Sequence, residues 1–236
     1  MKRRFMTLLV GMWIAASAGA EFFLDIYGGK VYAAGGTFAG IYSERTSSIY
    51  GSDTFRSWSA LNDLGGAKGT SYGIRGGYWF ESGLGIALDV SRFGVDPGDS
   101  VTEIDLSPAS LLLMYRYPLL VTDQFSRGRM HPYVGAGFSY GSVEVKTHCS
   151  HLYNDYDLSE DSTCFGFDFR LGLKWFFTRH LAVFGEYRFS ALSFEQNAHF
   201  QSGDSWILPS VTRNHSINTE GDVPTHHLQG GVSYHF

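Results

Sequence analysis

The chain has 236 residues, a mass of 26.2 kDa, a formal net charge of −5 and a mean hydropathy of −0.10. This hydropathy excludes a bundle of membrane helices, and the acidic balance argues against a nucleic-acid-binding protein, which usually carries a basic patch. An aromatic content of 16% and 29 glycines against 6 prolines favour β structure.

The first 20 residues predict a cleaved signal peptide. Three basic residues precede an apolar stretch over 5–16, and Ala18 and Ala20 form the small-residue pattern that signal peptidase reads. The apolar stretch is shorter than the roughly 20 residues that a helix needs to span a bilayer. We therefore expect a signal peptide over 1–20 and a single mature domain over 21–236.

The mature sequence has no uncharged apolar run long enough for a membrane helix, so it could span a membrane only as a closed barrel. Residues 165–175 show the clearest strand pattern. One face is apolar from Phe165 to Trp175, and the other carries Asp168, Arg170 and Lys174. A strand places these two sets on opposite sides, whereas a helix would scatter them around its axis.

Seven further segments alternate in the same way, and together they predict an all-β fold, an eight-stranded antiparallel transmembrane up-and-down β-barrel. These segments cover residues 24–27, 71–80, 84–91, 109–117, 133–141, 181–191 and 228–236. A soluble barrel would turn its large rings inward. Here the charged face is also rich in glycine, which suits a tight polar lumen and an apolar outer face.

The predicted connections are short on one side and long on the other. Short or modest links lie near 81–83, 122–130 and 178–180, and long links cover 34–69, 94–103, 147–163 and 196–224. Short periplasmic turns and long extracellular loops are typical of outer-membrane barrels. An aromatic girdle is predicted at the short-turn end, from Trp79, Phe80, Tyr115, Tyr117, Trp175, Phe177, Tyr234 and Phe236.

The end of the chain, Val232-Ser233-Tyr234-His235-Phe236, resembles the signal read by the outer-membrane insertion machinery, with Val232, Tyr234 and Phe236 as its apolar positions. The stretch His131-Pro132-Tyr133-Val134-Gly135-Ala136-Gly137 resembles the "PYxGxG" strand start of small OmpA-like barrels. The mature chain thus resembles the outer-membrane β-barrel domain family. The resemblance implies an outer-membrane location in a Gram-negative cell envelope and names no activity, because the family includes adhesins, defence proteins and structural anchors.

Charged residues on the predicted inner face suggest how the lumen is filled. They are Asp25, Arg75, Asp89, Arg116, Asp168, Arg170, Lys174, Glu186 and Arg188. Buried charges are costly unless they are paired, so we expect an ion-pair network along the barrel axis. The network could be a permanent polar plug, or the gate of a narrow pore that opens when one ion pair changes rotamer.

Cys149 and Cys164 are the only cysteines, and they flank the third long loop. In an oxidising periplasm such a pair normally forms a disulfide, which we expect here. The alternative is a metal site that adds His148 and His151 to the two cysteines. The long loops are acidic, which fits either simple solvation or docking to lipopolysaccharide through bridging calcium ions.

The sequence favours a non-enzymatic outer-membrane protein with long extracellular loops and a structural or surface-interaction role. Expected partners are outer-membrane lipids and lipopolysaccharide, the insertion machinery and an unknown surface ligand, with no cofactor, resident metal or nucleic acid. Besides the pore, the alternative is a lipid A-modifying enzyme that uses a His/Ser pair, either His215 and Ser216 or His151 and Ser150. No phosphate loop, zinc helix or nucleotide-binding fingerprint is present.

Overall fold

A computed structural model of the chain describes the backbone of residues 21–48, 54–96, 102–151, 154–203 and 211–236. Side chains are described for 21–36, 64–96, 104–144, 162–195 and 220–236. The predicted signal peptide lies outside the described residues. Within them, no helix has the length and apolar character needed to cross a membrane.

The described residues form ten strands, all paired in antiparallel fashion. They are β1 (Glu21–Ala33), β2 (Thr37–Ser48), β3 (Thr54–Asp63), β4 (Lys68–Trp79), β5 (Leu84–Val95), β6 (Thr102–Arg116), β7 (Met130–His151), β8 (Asn154–Phe176), β9 (Leu181–Gly203) and β10 (Val211–His235).

Eight of these strands close a barrel in the order β1-β4-β5-β6-β7-β8-β9-β10, and β10 pairs back onto β1. The closing seam runs from Phe23 opposite His235 to Ala33 opposite Thr225. Closure pairs the backbone of the first and last strands, as a membrane-spanning sheet requires. The predicted eight-stranded antiparallel barrel is confirmed.

Side chains alternate between the two faces of the barrel as predicted. On β8, Phe167 and Phe169 are exposed on the outer face, whereas Asp168 and Arg170 are buried inside. The weakest predicted strand obeys the same rule, because Ile26 points outward. The apolar outer face is the surface that lipid covers, so these exposed rings need no protein partner.

The predicted long loops contain more strand than expected. Strands β2 and β3 form a hairpin within 34–69, and β7 and β8 run to His151 and from Asn154. Strand β2 pairs with the first half of β10, from Val211 to Gly221, and so continues the line of β1. Alternation did not reveal these extensions because strands outside the membrane have no lipid-facing side that must be apolar.

The residues of the predicted aromatic girdle lie on the outer face at the short-turn end, except for Trp79. Phe80, Tyr115 and Tyr117 are exposed on the outer face. Trp79 is only 2% exposed and lies in the lumen, where the guanidinium of Arg116 lies 4.8 Å from its ring. The girdle prediction is therefore wrong for Trp79, because the residue occupies an inward position of β4 and Phe80 follows on the outer side.

Aromatic rings fill much of the lumen by lying over inward-facing glycines. Directly opposed pairs are Phe23 and Gly77, Tyr27 and Gly73, Trp79 and Gly85, and Tyr133 and Gly172. A Cβ atom at Gly172 would lie 2.3 Å from the ring of Tyr133. Only glycine allows a ring to pack this closely against the barrel wall.

The predicted disulfide between Cys149 and Cys164 is wrong. Cys164 lies opposite Gly141, whereas the backbone of Cys149 lies opposite Tyr156, farther along the same β7–β8 ladder. At about 3.4 Å per residue, the offset of eight residues separates the two cysteines by roughly 27 Å, far beyond disulfide reach. Cys164 is a buried free thiol, and the side chain of Cys149 lies outside the described residues.

The same offset removes Cys164 from the alternative metal site, because His148 and His151 share the outer end of β7 with Cys149. The side chains of these two histidines are also outside the described residues. Both predictions assumed that the segment between the cysteines is a loop whose ends meet. The described residues instead form a ladder in which β7 and β8 stay paired from Cys164 to Asn154 and run outward together.

Candidate functional site in the barrel lumen

Eight of the nine predicted charged residues form one continuous chain of ion pairs in the lumen. The chain of contacts begins with Lys174, Asp25, Arg75, Glu186 and Arg170. Arg170 then contacts both Asp89 and Asp168, and Asp168 contacts Arg188. We call this set the lumen network. Its formal charges cancel, and each of its residues is at most 4% exposed.

Arg75 joins the two carboxylates in the half of the network nearer the short turns. Its guanidinium lies 2.8 Å from Asp25 and 2.6 Å from Glu186. The ammonium of Lys174 lies 3.0 Å from Asp25, and the Tyr133 hydroxyl donates a hydrogen bond of 2.8 Å to Glu186. These donors satisfy both carboxylates, which reduces the cost of burying them.

Asp168 is the centre of the other half of the network. Its carboxylate lies 2.9 Å from Arg188 and 3.2 Å from Arg170. The hydroxyls of Ser110 and Ser190 donate to it at 2.7 and 2.6 Å. Four donors from β6, β8 and β9 therefore hold one carboxylate, so this position connects three strands through the lumen.

Asp89 completes the network on β5. It lies 2.9 Å from Arg170 and accepts a hydrogen bond of 2.7 Å from the Tyr27 hydroxyl. Each of the four network carboxylates thus has two or more donors. A carboxylate held in this way is a poor general base, because its lone pairs are already engaged.

Arg116 is the one predicted lumen residue outside the network. It pairs with Glu21 at the mouth of the barrel on the short-turn side, where Glu21 also contacts Arg127 at 3.2 Å and the ring of His235. Sequence reasoning missed Glu21 because the pattern of the first strand was read only over 24–27. The register places Glu21 opposite Trp79, so it closes the mouth beside the aromatic ring.

An apolar cluster lies between the lumen network and the long-loop side, and we call it the apolar cap. It consists of Val31, Ala33, Leu64, Ala67, Phe93, Val95, Ile104, Leu106, Val143, Cys164, Leu192, Phe194 and Val223. The edge of the His227 ring contacts Phe93 at the border with the network, at a centroid distance of 4.7 Å. The sequence analysis did not predict this cap, because all of its residues lie beyond the ends of the predicted strands.

The three apolar residues of the predicted insertion signal lie together on the outer face of β10. Val232, Tyr234 and Phe236 are all exposed. The backbone N–H of Phe236 donates a hydrogen bond of 3.0 Å to the carbonyl of Phe22 in β1. The signal residues therefore line the seam at which the barrel closes.

The inward positions of several hydroxyl-bearing residues were predicted, but their hydrogen bonds within the site were not. Tyr133, Ser110 and Ser139 lie on inner faces of the alternating segments, but they are neutral, and the prediction of the network rests on charged residues alone. The hydroxyls of Ser110 and Ser139 lie 2.8 Å apart, beside Asp168. The signal that could have found them is their place on the same face as the charges.

The described residues contain no group of three or more His, Cys, Asp or Glu side chains arranged to hold a metal ion. The His/Ser pairs considered for an enzyme fall on β10 and on the end of β7, where only the backbone is described. The described lumen holds charges in fixed positions, and near the short turns it also brings one hydroxyl next to a base. The Ser233 hydroxyl lies 2.9 Å from Nε2 of His235, and Nδ1 of His235 contacts Glu21, with all three side chains buried.

Several solved outer-membrane protein structures are similar to this chain at low sequence identity. The chain is similar to Neisserial surface protein A (20% identity, 86% of this chain and 97% of that chain, TM-score 0.46). It is also similar to OprG (16% identity, 92% and 96%, TM-score 0.45) and to the N-terminal β-barrel domain of OprF (14% identity, 84% and 97%, TM-score 0.35), both from Pseudomonas aeruginosa. No curated protein matches the chain.

The family model described as "Outer membrane protein beta-barrel domain" matches residues 6–236. This match covers the closed barrel, its lumen network and the extended strands on the long-loop side. The chain therefore belongs to the outer membrane protein β-barrel domain family and is a protein of the outer membrane.

Proposed function

We propose that this protein is a closed, non-enzymatic barrel whose long extracellular strands present a contact surface outside the cell. The observation that carries the proposal is the lumen network. Its eight charged residues are at most 4% exposed, so water hardly reaches them. A barrel closed in this way supports a structural or surface-interaction role better than transport through its centre.

Opening the lumen would require ion pairs to separate where no water replaces them. Arg75 has carboxylates on two sides, and Arg170 contacts three. Breaking a buried pair typically costs about 3–5 kcal/mol. Several pairs would have to break together to form a continuous path, so a spontaneous gate is energetically expensive.

The extracellular strands support the second half of the proposal. The β7–β8 ladder continues from Phe165 to Asn154, and the β9–β10 ladder continues to Gly203 opposite Thr212. Eleven residues beyond Phe165 correspond to roughly 37 Å along the strand. A paired ladder of this length can hold a recognition surface away from the membrane without the entropy cost of ordering a flexible loop.

Single-channel recording in planar bilayers tests the closed lumen. The full-length mature protein should show no discrete openings. The double variant Arg75→Ala/Glu186→Ala is the positive control, because it empties the middle of the network while leaving Lys174 paired with Asp25 and Arg170 paired with Asp89. Combined with Phe93→Ala and Leu192→Ala, which remove large side chains of the apolar cap, this variant should conduct. Frequent discrete openings of the unmodified protein would favour the pore instead.

Mass spectrometry of lipid A tests the enzyme alternative. Outer membranes with and without the protein should show the same acylation pattern. A changed pattern that is lost in His215→Ala or Ser150→Ala would contradict the non-enzymatic proposal and would identify the responsible His/Ser pair.

A further inference from the structure

The lipid-facing wall contains an apolar groove on its outer surface. Gly28, Gly230 and Gly185 lie directly opposite one another on β1, β10 and β9, and the next residue in this row is Leu173 on β8. All four positions are outward-facing. Because strands of such barrels are tilted by about 35–45°, the row runs diagonally across the wall.

Two rows of larger side chains border this glycine floor. The row toward the loops contains Lys30, Leu228, Tyr187 and Leu171, and the row toward the turns contains Ile26, Val232, Val183 and Trp175. On the loop side of the floor, an open pocket of about 590 Å³ lies over β8, β9 and β10, lined on the outer face by Leu171, Leu173, Gly185, Tyr187 and Leu228. The borders are mostly apolar, which suits a hydrocarbon chain.

The three floor glycines are not required by packing within the barrel. A Cβ atom at Gly185 would meet no atom within 4 Å, and the nearest atoms to a Cβ at Gly230 or Gly28 lie at 3.6 and 3.5 Å. This contrasts with Gly172, which lies under the Tyr133 ring. Glycine weakens a strand and often marks the close approach of a ligand, so an external occupant explains the floor.

Two lysine ammonium groups border the loop-side end of the groove. Lys30 lies opposite Thr70, and Lys68 lies opposite Tyr32 on the neighbouring strand pair. The two lysines are diagonal neighbours on the outer face, with their Cβ atoms roughly 7 Å apart. Among the described residues neither ammonium group forms an ion pair, although Asp96 lies directly opposite Lys68 in the sheet. The nearby Arg92 pairs with Asp105 at 3.1 Å.

We propose that this groove binds lipopolysaccharide of the outer leaflet, with one acyl chain over the glycine floor and a lipid A phosphate between Lys30 and Lys68. All lipid tails in a bilayer are equally apolar, so the hydrophobic effect does not hold a tail at one place on the wall. Close packing of an acyl chain against the glycine backbone is what favours binding in this groove. The two ammonium groups then favour an anionic headgroup. This site is independent of whether the lumen conducts.

Native mass spectrometry of the full mature protein in detergent micelles tests the site. The probe is hexa-acylated, diphosphorylated lipid A, compared with dephosphorylated lipid A and with phosphatidylethanolamine. We expect one diphosphorylated lipid A to be retained at least about tenfold more strongly than either comparison lipid. Equal retention of all three lipids would overturn the headgroup assignment.

Filling the groove should remove the lipid. Gly185→Leu/Gly230→Leu should weaken lipid A retention about tenfold or more, and the milder Gly185→Ala/Gly230→Ala should give an intermediate loss. Gly76→Leu is the matched control, because Gly76 is another glycine of the outer wall whose Cβ would meet its nearest atoms at 4.0 Å. All variants are first checked for the heat-modifiable gel mobility of a folded barrel.

Removing the charges separates the two parts of the site. Lys30→Gln/Lys68→Gln should abolish the preference for phosphorylated lipid A while leaving weak retention of both forms. Undiminished lipid retention in the filled variant would overturn the proposal. So would the loss of a dimer peak, rather than of bound lipid, because the groove would then join two copies of this chain.

Discussion

The lumen network and the apolar cap share the inner face of the same strands, yet their chemistry is opposite. Strand β5 contributes Asp89 to the network and Phe93 to the cap, and β9 contributes Arg188 and Leu192. Only four residues separate the members of each pair. Position along the strand, and not only the face on which a residue lies, therefore determines the chemistry of the inner wall.

The polarity of the outer face also changes where the network meets the cap, but in the opposite direction. Beside the cap, Arg92 and Ser107 point outward and are exposed, whereas farther down Val90 and Leu111 are exposed to lipid. The barrel thus has a polar interior where lipid surrounds it and an apolar interior where water surrounds it. The second arrangement is that of a soluble barrel. One continuous sheet is therefore adapted to lipid along one part of its length and to water along the other.

The largest expected effect comes from removing the centre of the network. Asp168→Ala leaves Arg170 and Arg188 partly unpaired in the lumen, and should lower the free energy of unfolding by about 3–5 kcal/mol. Urea unfolding in lipid vesicles measures the loss. The exposed pair between Arg92 and Asp105 provides the control, since Arg92→Gln should cause no measurable change. Equal effects would mean that the network is hydrated.

A smaller effect on stability should show where along the strands the membrane ends and water begins. Leu111 and Ser107 both point outward on β6, four residues apart. Leu111→Arg should lower the free energy of unfolding by about 2–4 kcal/mol, because the charge faces the hydrocarbon core. Ser107→Arg should cost less than about 1 kcal/mol. Similar costs at the two positions would place the membrane boundary elsewhere.

The glycines that lie under aromatic rings should tolerate no side chain. Gly172→Ala pushes the Tyr133 ring away from Glu186 and should lower the free energy of unfolding by about 1–3 kcal/mol. Gly76→Ala, on the outer wall, should leave it nearly unchanged. The difference between the two variants, from the same unfolding curves, measures how closely the lumen is packed. No difference would mean that Tyr133 can move freely.

The smallest effect concerns Cys164 in the apolar cap. In a Cys149→Ser variant, Cys164 is the only thiol and should resist maleimide until the barrel is unfolded, because it is buried. The unmodified protein should also show the same gel mobility with and without reductant. Rapid labelling of the folded variant would show that the cap is open, and a reductant-dependent shift would restore the disulfide.

Much of the barrel and part of the site could be predicted from the sequence. The charge positions on 165–175 predicted which side chains share the lumen, since alternation assigns faces from local geometry alone. Pairing partners could not be predicted. Arg75 and Glu186 are separated by 111 positions in the chain and meet only because the closed barrel brings β4 and β9 to the same level.

A change of phase in the alternation of apolar residues along β5 could have predicted the apolar cap. On β5 the apolar positions are even-numbered up to Val90 and odd-numbered from Phe93 onward. A change of phase within one strand indicates a change of solvent outside it. The disulfide failed for another reason, because its prediction treated a ladder as a loop and so assumed that the two ends lie close together.

The sequence by itself determined the membrane class, the eight lipid-facing segments and the face on which most of their residues lie, because these follow from local alternation. Only the tertiary structure decided which charges pair, how far the strands continue beyond the lipid, where the interior becomes apolar and that three distant glycines align into one groove. These features depend on strand register and closure. A register is a long-range property, determined by the fit of many side chains at once, and no single segment contains it.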